Sequence, residues 1–486
     1  MHYEAVIGLE VHAQIHTRTK MFCGCPILLD TGDLAPNSAV CPVCLALPGT
    51  LPVVNRAAVE QGILTGLALN CRINPVNVFA RKSYFYPDLP KGYQISQFEL
   101  PLAVAGYLDI ETAAGQKRIG IRRAHLEEDA AKLFHLDNGR AAVDFNRAGV
   151  PLIEIVSEPD LRSVEEVQAY ATALRDILIY VGVNSGDMEK GVMRFEANVS
   201  VRPVGATELG TRTEIKNLNS FRALVQSTAY EIERHIELLE SGERIIQQTM
   251  GWDESAARTY PQRSKEHAHD YRYFPEPDIP PLHIEPEWLS ELGTRLPELP
   301  AARRERFVTV YGLRPYDAQL LVSDRATADY FEAVIELVRD RGVAAQEVAN
   351  WITGDLFRLL NDAGSPIQAC RVTPAHLAEL LELHRTERVS VTAAKKVLEG
   401  VFAQGVSPTA IVDQLGLAQI SEAATIQALV EGVLNANPDQ VQRYLDGKQG
   451  LIGWFVGQVM QASQGKANPQ ETRRALEEAF TQRRGS

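Results

Sequence analysis

The chain has 486 residues, of which 45% are hydrophobic and 23% charged, a composition typical of a globular protein with two to four domains. Because no apolar run approaches the roughly 20 residues of a membrane span and no secretory signal precedes the first strand, we expect a cytoplasmic protein without a membrane partner. The formal net charge of −13 argues against indiscriminate nucleic-acid binding, but it leaves room for a local basic face.

The first predicted element is a strand near the N-terminus in which apolar and polar residues alternate. Glu10, His12 and Gln14 fall on one face, and Leu9 and Val11 lie on the other. Alternation with period two predicts a strand that is buried on one side only.

Four cysteines follow this strand in two close pairs, Cys23 with Cys25 and Cys41 with Cys44. Such spacing predicts a closed tetrahedral metal site, most often a zinc site. Four protein ligands leave no position for a substrate, so the site would have a structural role. Buried free thiols and disulfides are the alternatives, and a reducing compartment disfavours disulfides.

Three later segments repeat the alternation of the first strand. Their polar faces are formed by His125, Glu127 and Asp129, by Glu196, Asn198, Ser200 and Arg202, and by Arg212, Glu214 and Lys216. Together the four segments predict a mainly antiparallel sheet with one open face.

The open face of this predicted sheet is rich in carboxylates, histidine and asparagine. A solvated surface is the usual explanation for any one such strand. Four of them together would be self-repelling unless a cation lay among them. Oxygen ligands with a histidine suit magnesium or manganese, and carboxylate-held magnesium typically serves bound phosphates. The pattern therefore predicts a metal and nucleotide site on the sheet.

Helical patterns occupy the rest of the chain. A capping box of Ser163 and Glu166 begins a helix that ends at Gly182, and a second helix is predicted over residues 221–240. Prolines crowd around residue 280 and mark a boundary, beyond which the helical pattern is almost continuous. Asn468 is predicted to cap the last helix, whose basic excess suits phosphate contacts or, alternatively, only a solvated helix end.

Common nucleotide and hydrolase motifs are missing from the sequence. It contains no G-x-x-x-x-G-K-[ST], G-x-G-x-x-G, H-E-x-x-H or G-x-S-x-G segment. If ATP is used, its phosphates must be held by metal and by scattered arginine and lysine side chains.

Longer segments carry a resemblance to a known family. They are residues 6–12, 84–97, 125–129, 151–160, 214–221, 270–278, 456–460 and 465–469. On these segments, which extend over nearly the whole chain, the sequence closely resembles the B subunits of aspartyl/glutamyl-tRNA amidotransferases (GatB).

The resemblance implies an α+β fold in three parts. Residues 1–292 would form a catalytic cradle with a mainly antiparallel sheet, distantly related to glutamine synthetase and including the cysteine pairs. Residues 293–405 would form a helical domain, and residues 406–486 a helical tRNA-binding tail of the YqeY type.

The resemblance also implies a ligase activity. Such proteins use ATP and Mg²⁺ to phosphorylate the side-chain carboxylate of Glu-tRNA(Gln) or Asp-tRNA(Asn). Ammonia, released from glutamine by the amidase (the A subunit), then displaces phosphate, and the small C subunit completes a heterotrimer. Phosphorylation is needed because a carboxylate anion is a poor electrophile, whereas an acyl phosphate has a good leaving group. Which of the two tRNAs is used cannot be read from the sequence.

Site residues follow from the resemblance position by position. The expected catalytic residues are Glu10, His12, Glu127, Glu128, Glu214 and Lys216. The expected Mg²⁺ ligands are Glu10, His12, Glu127, Glu128, Glu196 and Glu214, and the expected structural Zn²⁺ ligands are Cys23, Cys25, Cys41 and Cys44. The expected phosphate contacts are Asn198, Arg202, Lys91 and Arg272. Alternatively, Lys91 and Arg272 are ordinary surface cations. At one expected Mg²⁺ ligand the chain departs from the family, since many members have Asp where this chain has Glu196.

Two other functions compete with this hypothesis. A kinase or ligase for a free amino acid would share the carboxylate chemistry, but it would not need a separate helical tail. A zinc-dependent RNA-binding protein without catalysis would leave the acidic strands without a role.

Overall fold

The computed structural model describes residues 2–27, 34–136, 139–262, 271–419, 422–463 and 466–484. Asp270 and Gly465, which belong to the segments quoted above, lie outside these ranges. The chain divides into two compact units, Met1–Pro300 and Ala301–Ser486. The finer division into residues 1–292, 293–405 and 406–486 stays a prediction.

The strands of the described ranges all belong to the first unit. They are β1 (Tyr3–Gln14), β2 (Arg72–Ile73), β3 (Val76–Asn77), β4 (Phe79–Ser83), β5 (Tyr93–Gln97), β6 (Ala103–Thr112), β7 (Gly115–Glu128), β8 (Lys132–His135), β9 (Ala141–Asp144), β10 (Pro151–Ser157), β11 (Met193–Pro203), β12 (Thr213–Leu218), β13 (Thr249–Asp253), β14 (Arg258–Pro261), β15 (Phe274–Pro275) and β16 (Leu282–His283).

Twelve of these strands form one large sheet in the order β14-β13-β12-β11-β1-β10-β7-β5-β4-β15. The remaining two members, β6 and β2, extend the sheet beside the first part of β7. Neighbouring strands are antiparallel except β12 and β13, which run parallel. The α+β class expected from the sequence is confirmed, and the relation to glutamine synthetase stays a prediction.

Helices cover one face of the large sheet. They are α1 (Arg56–Ala68), α2 (Val164–Val181) and α3 (Phe221–Glu240), while α4 (Pro286–Thr294) packs near the end of this unit. Alternation directs Ile7, Leu9 and Val11 of β1 into the core beneath the helices, where each is at most 1% exposed. The residues between them, including Glu10 and His12, therefore face the other side of the sheet.

Helix termini agree with the sequence signals. The Ser163 hydroxyl accepts a hydrogen bond from the Glu166 backbone N–H, and Gly182 ends α2 in a left-handed conformation with φ of 78°. The predicted second helix, α3, spans Phe221–Glu240 and begins after Ser220. Both predicted helices are thus confirmed.

Helices make up the second unit. They are α5 (Pro300–Thr309), α6 (Pro315–Val322), α7 (Arg325–Val338), α8 (Ala345–Asn350), α9 (Phe357–Ala363), α10 (Pro374–Arg385), α11 (Val391–Gln404), α12 (Pro408–Leu415), α13 (Ala423–Ala436), α14 (Pro438–Leu445), α15 (Ile452–Ala462) and α16 (Pro469–Arg484), with a π-helical turn (Trp351–Leu356) between α8 and α9.

The last helices of this unit have a core of their own. Ile426, Val430, Phe455 and Leu476 are buried in one cluster formed by α13, α15 and α16. Asn468 caps α16 as predicted, since its side-chain oxygen accepts hydrogen bonds from the backbone N–H groups of residues 470 and 471. Among the described residues, no helix is both long and apolar enough to cross a membrane.

A buried carboxylate ties α3 to the edge of the sheet. Glu231 accepts hydrogen bonds from Thr213 at 2.7 Å, Thr259 at 2.5 Å and Arg234 at 2.8 Å. The ring nitrogen Nε2 of His235 lies 3.3 Å from the same carboxylate. Burial opposes ionisation, but hydrogen bonds from these four partners hold the pKa of Glu231 well below its usual range.

Replacing Glu231 by Gln is expected to lower the free energy of unfolding of this unit by about 2–4 kcal/mol at pH 7, because buried donors lose a charged acceptor. Because the folded pKa is depressed, the ionised carboxylate stabilises the fold above the unfolded value near 4.5, and this contribution is lost as the pH falls. Urea unfolding measures this effect. The difference in free energy of unfolding between the unaltered protein and Glu231→Gln should be smaller in acid than at pH 7. The control is Glu233→Gln, which changes an exposed residue of the same helix. If the stability difference between Glu231→Gln and the unaltered protein did not depend on pH, the stabilising role of the ionised Glu231 carboxylate would be contradicted.

Candidate active site

A cleft of about 760 Å³ lies on the polar face of the large sheet. Side chains of β1, β7, β10 and β11 line it, together with Lys82 from β4, Tyr84 and Lys216. All of them belong to the first unit. The alternation of each strand explains this arrangement, because the residues that point away from the helices converge on the same space.

One group of side chains in the cleft contains a histidine and two glutamates. His12 Nε2 lies 3.7 Å from Glu127 Oε1 and 3.3 Å from Glu154 Oε2. The register explains the contact, since His12 stands opposite Glu154 on β10 and Glu154 stands opposite His125 on β7. One ligand atom from each of His12, Glu127 and Glu154 lies within 4.8 Å of the other two, close enough to hold one metal ion.

Electrostatic coupling within this group is strong. Burial disfavours the imidazolium, but the hydrogen bond to Glu154 and the negative charges of Glu154 and Glu127 raise the pKa of His12 to about 9. Burial also opposes ionisation of Glu154. The positive charges of His125, His12 and Lys82 outweigh this effect and hold the pKa of Glu154 well below its usual range. Glu154 is therefore an ionised carboxylate at neutral pH.

A second group consists of Glu10, Glu196 and Glu214, whose oxygens also lie within 4.8 Å of one another. Lys216 Nζ lies 2.8 Å from Glu196 and 3.1 Å from Glu214. The amide of Asn198 donates to Glu10 Oε1 at 3.0 Å. Burial first, and then the neighbouring carboxylates, raise the pKa of Glu10. One lysine does not balance three carboxylates, so this group also favours a bound cation.

Two buried polar atoms beside these groups have no hydrogen-bond partner among the described residues. They are Asn198 Oδ1 and His125 Nδ1. Buried polar atoms are rarely left unpaired, and each such atom requires an explanation. The donor set, with carboxylate oxygens and one imidazole, fits Mg²⁺ or Mn²⁺.

The four predicted zinc ligands also come together. Cys25 Sγ lies 4.0 Å from Cys44 Sγ, which lies 3.9 Å from Cys41 Sγ, and all four cysteines are free thiols. These distances are far from the roughly 2.05 Å of a disulfide. They are close to the edge of about 3.8 Å that a tetrahedron with zinc–sulfur bonds of about 2.3 Å requires. The cysteine cluster, Cys23, Cys25, Cys41 and Cys44, therefore has the shape of a metal site and is not cross-linked.

A fully buried lysine accompanies the cysteine cluster. Lys20 is 0% exposed, and its ammonium group lies 3.6 Å from Cys44 Sγ and 3.2 Å from the Phe145 carbonyl oxygen. Buried lysines are rare unless paired. Among the described residues, this ammonium group contacts Cys44 Sγ and the Phe145 carbonyl oxygen, and the hydrogen bond from Cys23 holds the pKa of the Cys44 thiol below its usual value despite burial.

Of the residues predicted for catalysis, magnesium and phosphate, five line the cleft: Glu10, His12, Glu127, Glu196 and Lys216. Glu214 and Asn198 contact these residues from beside the cleft, and the remaining four lie elsewhere. Glu128 and Lys91 pair with each other at 2.6 Å and line a separate cavity of about 180 Å³ beside the cysteine cluster. The physical reason is alternation: Glu127 and Glu128 are consecutive on β7, so only one of them can face the cleft. The structure does not bring Glu128 to either acidic group.

Arg202 and Arg272 are also placed elsewhere. Arg202 donates to Glu4 at 2.6 Å near the end of β11. It lies six positions beyond Glu196, which is roughly 20 Å along a strand. Arg272 is exposed and has a left-handed backbone with φ of 44°. Neither residue lines the cleft.

Sequence reasoning missed Glu154, Lys82 and Arg194, all of which line the cleft. The signal for Glu154 was available, since it is the one charged residue in the apolar run of β10. Arg194 shares a face of β11 with Glu196, two residues away, but it precedes the alternating stretch that begins with Glu196.

Comparison with known proteins identifies the class first. Residues 5–290 match the family model described as the GatB/GatE catalytic domain, and residues 329–480 match the model described as the GatB domain. The first of these matches contains the whole cleft and the cysteine cluster.

Full-length relatives identify the family. The chain is 53% identical to a protein of Roseiflexus sp. (strain RS-1), over 98% of each chain. It is 52% identical to one of Roseiflexus castenholzii, over 98% of this chain and 99% of the relative, and 51% identical to one of Thermodesulfovibrio yellowstonii, over 96% and 97%. All three are named as the B subunit of aspartyl/glutamyl-tRNA(Asn/Gln) amidotransferase. The chain belongs to this family of amidotransferase B subunits, and the resemblance found in the sequence is confirmed.

Proposed function

We propose that the chain is the activating component of an amidotransferase that converts Glu-tRNA(Gln) to Gln-tRNA(Gln), or Asp-tRNA(Asn) to Asn-tRNA(Asn). The observation that carries the proposal is the convergence of two acidic groups at one cleft. They are His12 with Glu127 and Glu154, which line it, and Glu10 and Glu196, which also line it, with neighbouring Glu214. Family membership supports the tRNA-linked substrate.

The reaction takes place in two steps. An oxygen of the substrate's side-chain carboxylate attacks the terminal phosphorus of ATP; a P–O bond forms, and the bond to ADP breaks. Ammonia then attacks the carbonyl carbon of the acyl phosphate; a C–N bond forms, phosphate leaves with the electron pair, and a proton is lost to water. The balance is one ATP consumed for each amide formed.

The protein's part is to gather and hold charged reactants. Each acidic group offers ligands to one Mg²⁺ ion, and the set differs from the sequence prediction by including Glu154 and leaving out Glu128. A bound Mg²⁺ ion supplies positive charge that offsets the charge of the transferred phosphoryl group. Lys216 orients Glu196 and Glu214 through its two ion pairs, and Asn198 orients Glu10.

The cysteine cluster is proposed to hold a structural Zn²⁺ ion. Its sulfur spacing suits tetrahedral coordination, and four thiolates around one divalent ion leave a net charge of −2. Lys20 would reduce this charge, which is a physical reason for a buried lysine at this position. The cluster lies outside the cleft, so its role is to fix the loop after β1.

Partners complete the proposal. Ammonia would come from the amidase (the A subunit), and the small C subunit would join the heterotrimer in the cytoplasm. The helical tail with α13, α15 and α16 would bind the tRNA. The B-subunit names of the relatives support a multisubunit enzyme.

Co-expression with the A and C subunits, followed by an amidation assay on both mischarged tRNAs, tests the function. We expect Gln-tRNA(Gln) or Asn-tRNA(Asn) to form only with ATP and an amide donor. Free glutamate replaces Glu-tRNA(Gln) in a parallel reaction, and its conversion to glutamine would favour the free amino-acid ligase instead. Absence of ATP turnover with either mischarged tRNA would favour the non-catalytic RNA-binding alternative.

A further inference from the structure

One wall of the cleft carries two arginines that the metal ligands do not use. Arg194 donates to both oxygens of Asp129, at 3.2 and 3.3 Å, and Arg147 Nε lies 3.7 Å from the same carboxylate. Gln14 also donates to Asp129 at 2.7 Å. All three charged side chains line the cleft, and Asp129 is only 5% exposed.

This wall carries two of the cationic side chains of the cleft. Arg194 and Arg147 share Asp129, while the charges of Glu127 and Glu196 also act on Arg194, and that of Asp88 on Arg147. Lys216 differs, because its ammonium group is held directly by two glutamates. The wall formed by Arg147, Arg194 and Asp129 is therefore the part of the cleft where guanidinium donors are concentrated.

Both arginines are held in place and still have donors to spare. Arg147 is anchored by hydrogen bonds from Nε and Nη2 to the carbonyl oxygens of Ala130 and Ala131, at 2.9 and 3.0 Å. Neither Arg147 Nη1 nor Arg194 Nε has a hydrogen-bond partner among the described residues. A fixed guanidinium with free N–H groups is suited to the oxygens of a phosphate.

The position of the wall matches the chemistry beside it. Arg194 stands opposite His12 in the pairing of β1 with β11. Asp129 follows Glu127 by two residues at the end of β7. An anion bound at Arg194 would thus lie next to the group formed by His12, Glu127 and Glu154.

We propose that Arg194 and Arg147 form a phosphate-binding subsite of the cleft and that buried Asp129 is the residue that positions them. This inference rests on the proposed function and adds the contacts that Arg202, Arg272 and Lys91 were expected to supply. The ligand is a phosphate group, either of the nucleotide or of the tRNA 3′ end. A rigid Arg–Asp–Arg arrangement holds the site ready before the ligand arrives, which lowers the entropic cost of binding.

The test uses the co-expressed complex with Arg194→Met. We expect at least ~10-fold weaker binding of a non-hydrolysable ATP analogue if the phosphate belongs to the nucleotide, or of mischarged tRNA if it belongs to the tRNA. Arg194→Lys should restore part of the affinity, because it restores the charge without the planar fork. Asp129→Asn should raise the KM of the same ligand more than it lowers kcat.

The matched control is Arg175→Met. Arg175 also pairs with a buried aspartate, Asp176, at 2.9 Å, but it lies in α2 on the helical side of the sheet. If Arg194→Met lowers only the melting temperature, as Arg175→Met does, and leaves both affinities unchanged, the subsite is refuted. Failure of the proposed function would look different, because the unaltered complex itself would then lack amidation.

Discussion

Replacing Glu154 by Gln is expected to lower ATP-dependent amidation by ~100–1000-fold while leaving the affinity for mischarged tRNA unchanged. Glu154 lies within 3.5 Å of both His12 and His125, so it is central to the group that we assign to a metal ion. The amide of glutamine keeps the size of the side chain but cannot supply the negative charge. The measurement is the rate of amide formation in the assembled complex, with tRNA binding followed by filter retention.

The control for this experiment is Glu158→Gln, just beyond β10, whose carboxylate pairs with Arg122 near the surface. It should retain nearly full activity. His12→Ala and Glu10→Gln should lower amidation as Glu154→Gln does. His12 belongs to the same acidic group as Glu154, and Glu10 belongs to the other. Full activity in Glu154→Gln would count against the metal assignment of that group.

Replacing Cys41 by Ser is expected to remove the zinc and to lower the melting temperature of the chain by roughly 10 °C. Binding of a structural metal contributes directly to folding free energy, because the unfolded chain has no preformed site. The rate per folded molecule should change much less, since the cluster lies outside the cleft. Elemental analysis and a thermal-shift assay measure the two effects on the same sample.

Cys370→Ser supplies the comparison, because Cys370 is a free thiol of the second unit and lies in none of the metal-binding groups. It should keep the zinc content of the unaltered chain. If protein purified without chelators contains no zinc, the assignment of the cysteine cluster fails whatever the stability of the variants.

Alternation along the strands made much of the cleft predictable. Glu10, His12, Glu127 and Glu196 were placed on an open face from their spacing alone, and they do line the cleft. Local periodicity determines which face a residue occupies, because successive side chains of a strand point to opposite sides.

Periodicity could not supply the partners across the sheet. Glu154 lies in a strand that is apolar on both faces, and only its register opposite His12 reveals a role. Alternation had already placed Glu127, and not Glu128, on the open face; Glu128 entered the predicted ligand set only through the family resemblance. Arg202 lies on the expected face of β11 but too far along the strand to reach the cleft. Periodicity gives the face of a residue, but it does not indicate where along the strand the cleft is centred.

The buried position of Lys20 has a consequence for chemical damage. Alkylation of Cys44 would remove the counter-charge of a fully buried ammonium group. The backbone next to this lysine holds Gly149 through the Met21 N–H, and Asn55 through the Lys20 carbonyl oxygen. A lesion at one sulfur atom would therefore loosen the loop after β1 together with its contacts to the segments at Gly149 and Asn55, which makes this thiol a point of vulnerability to electrophiles.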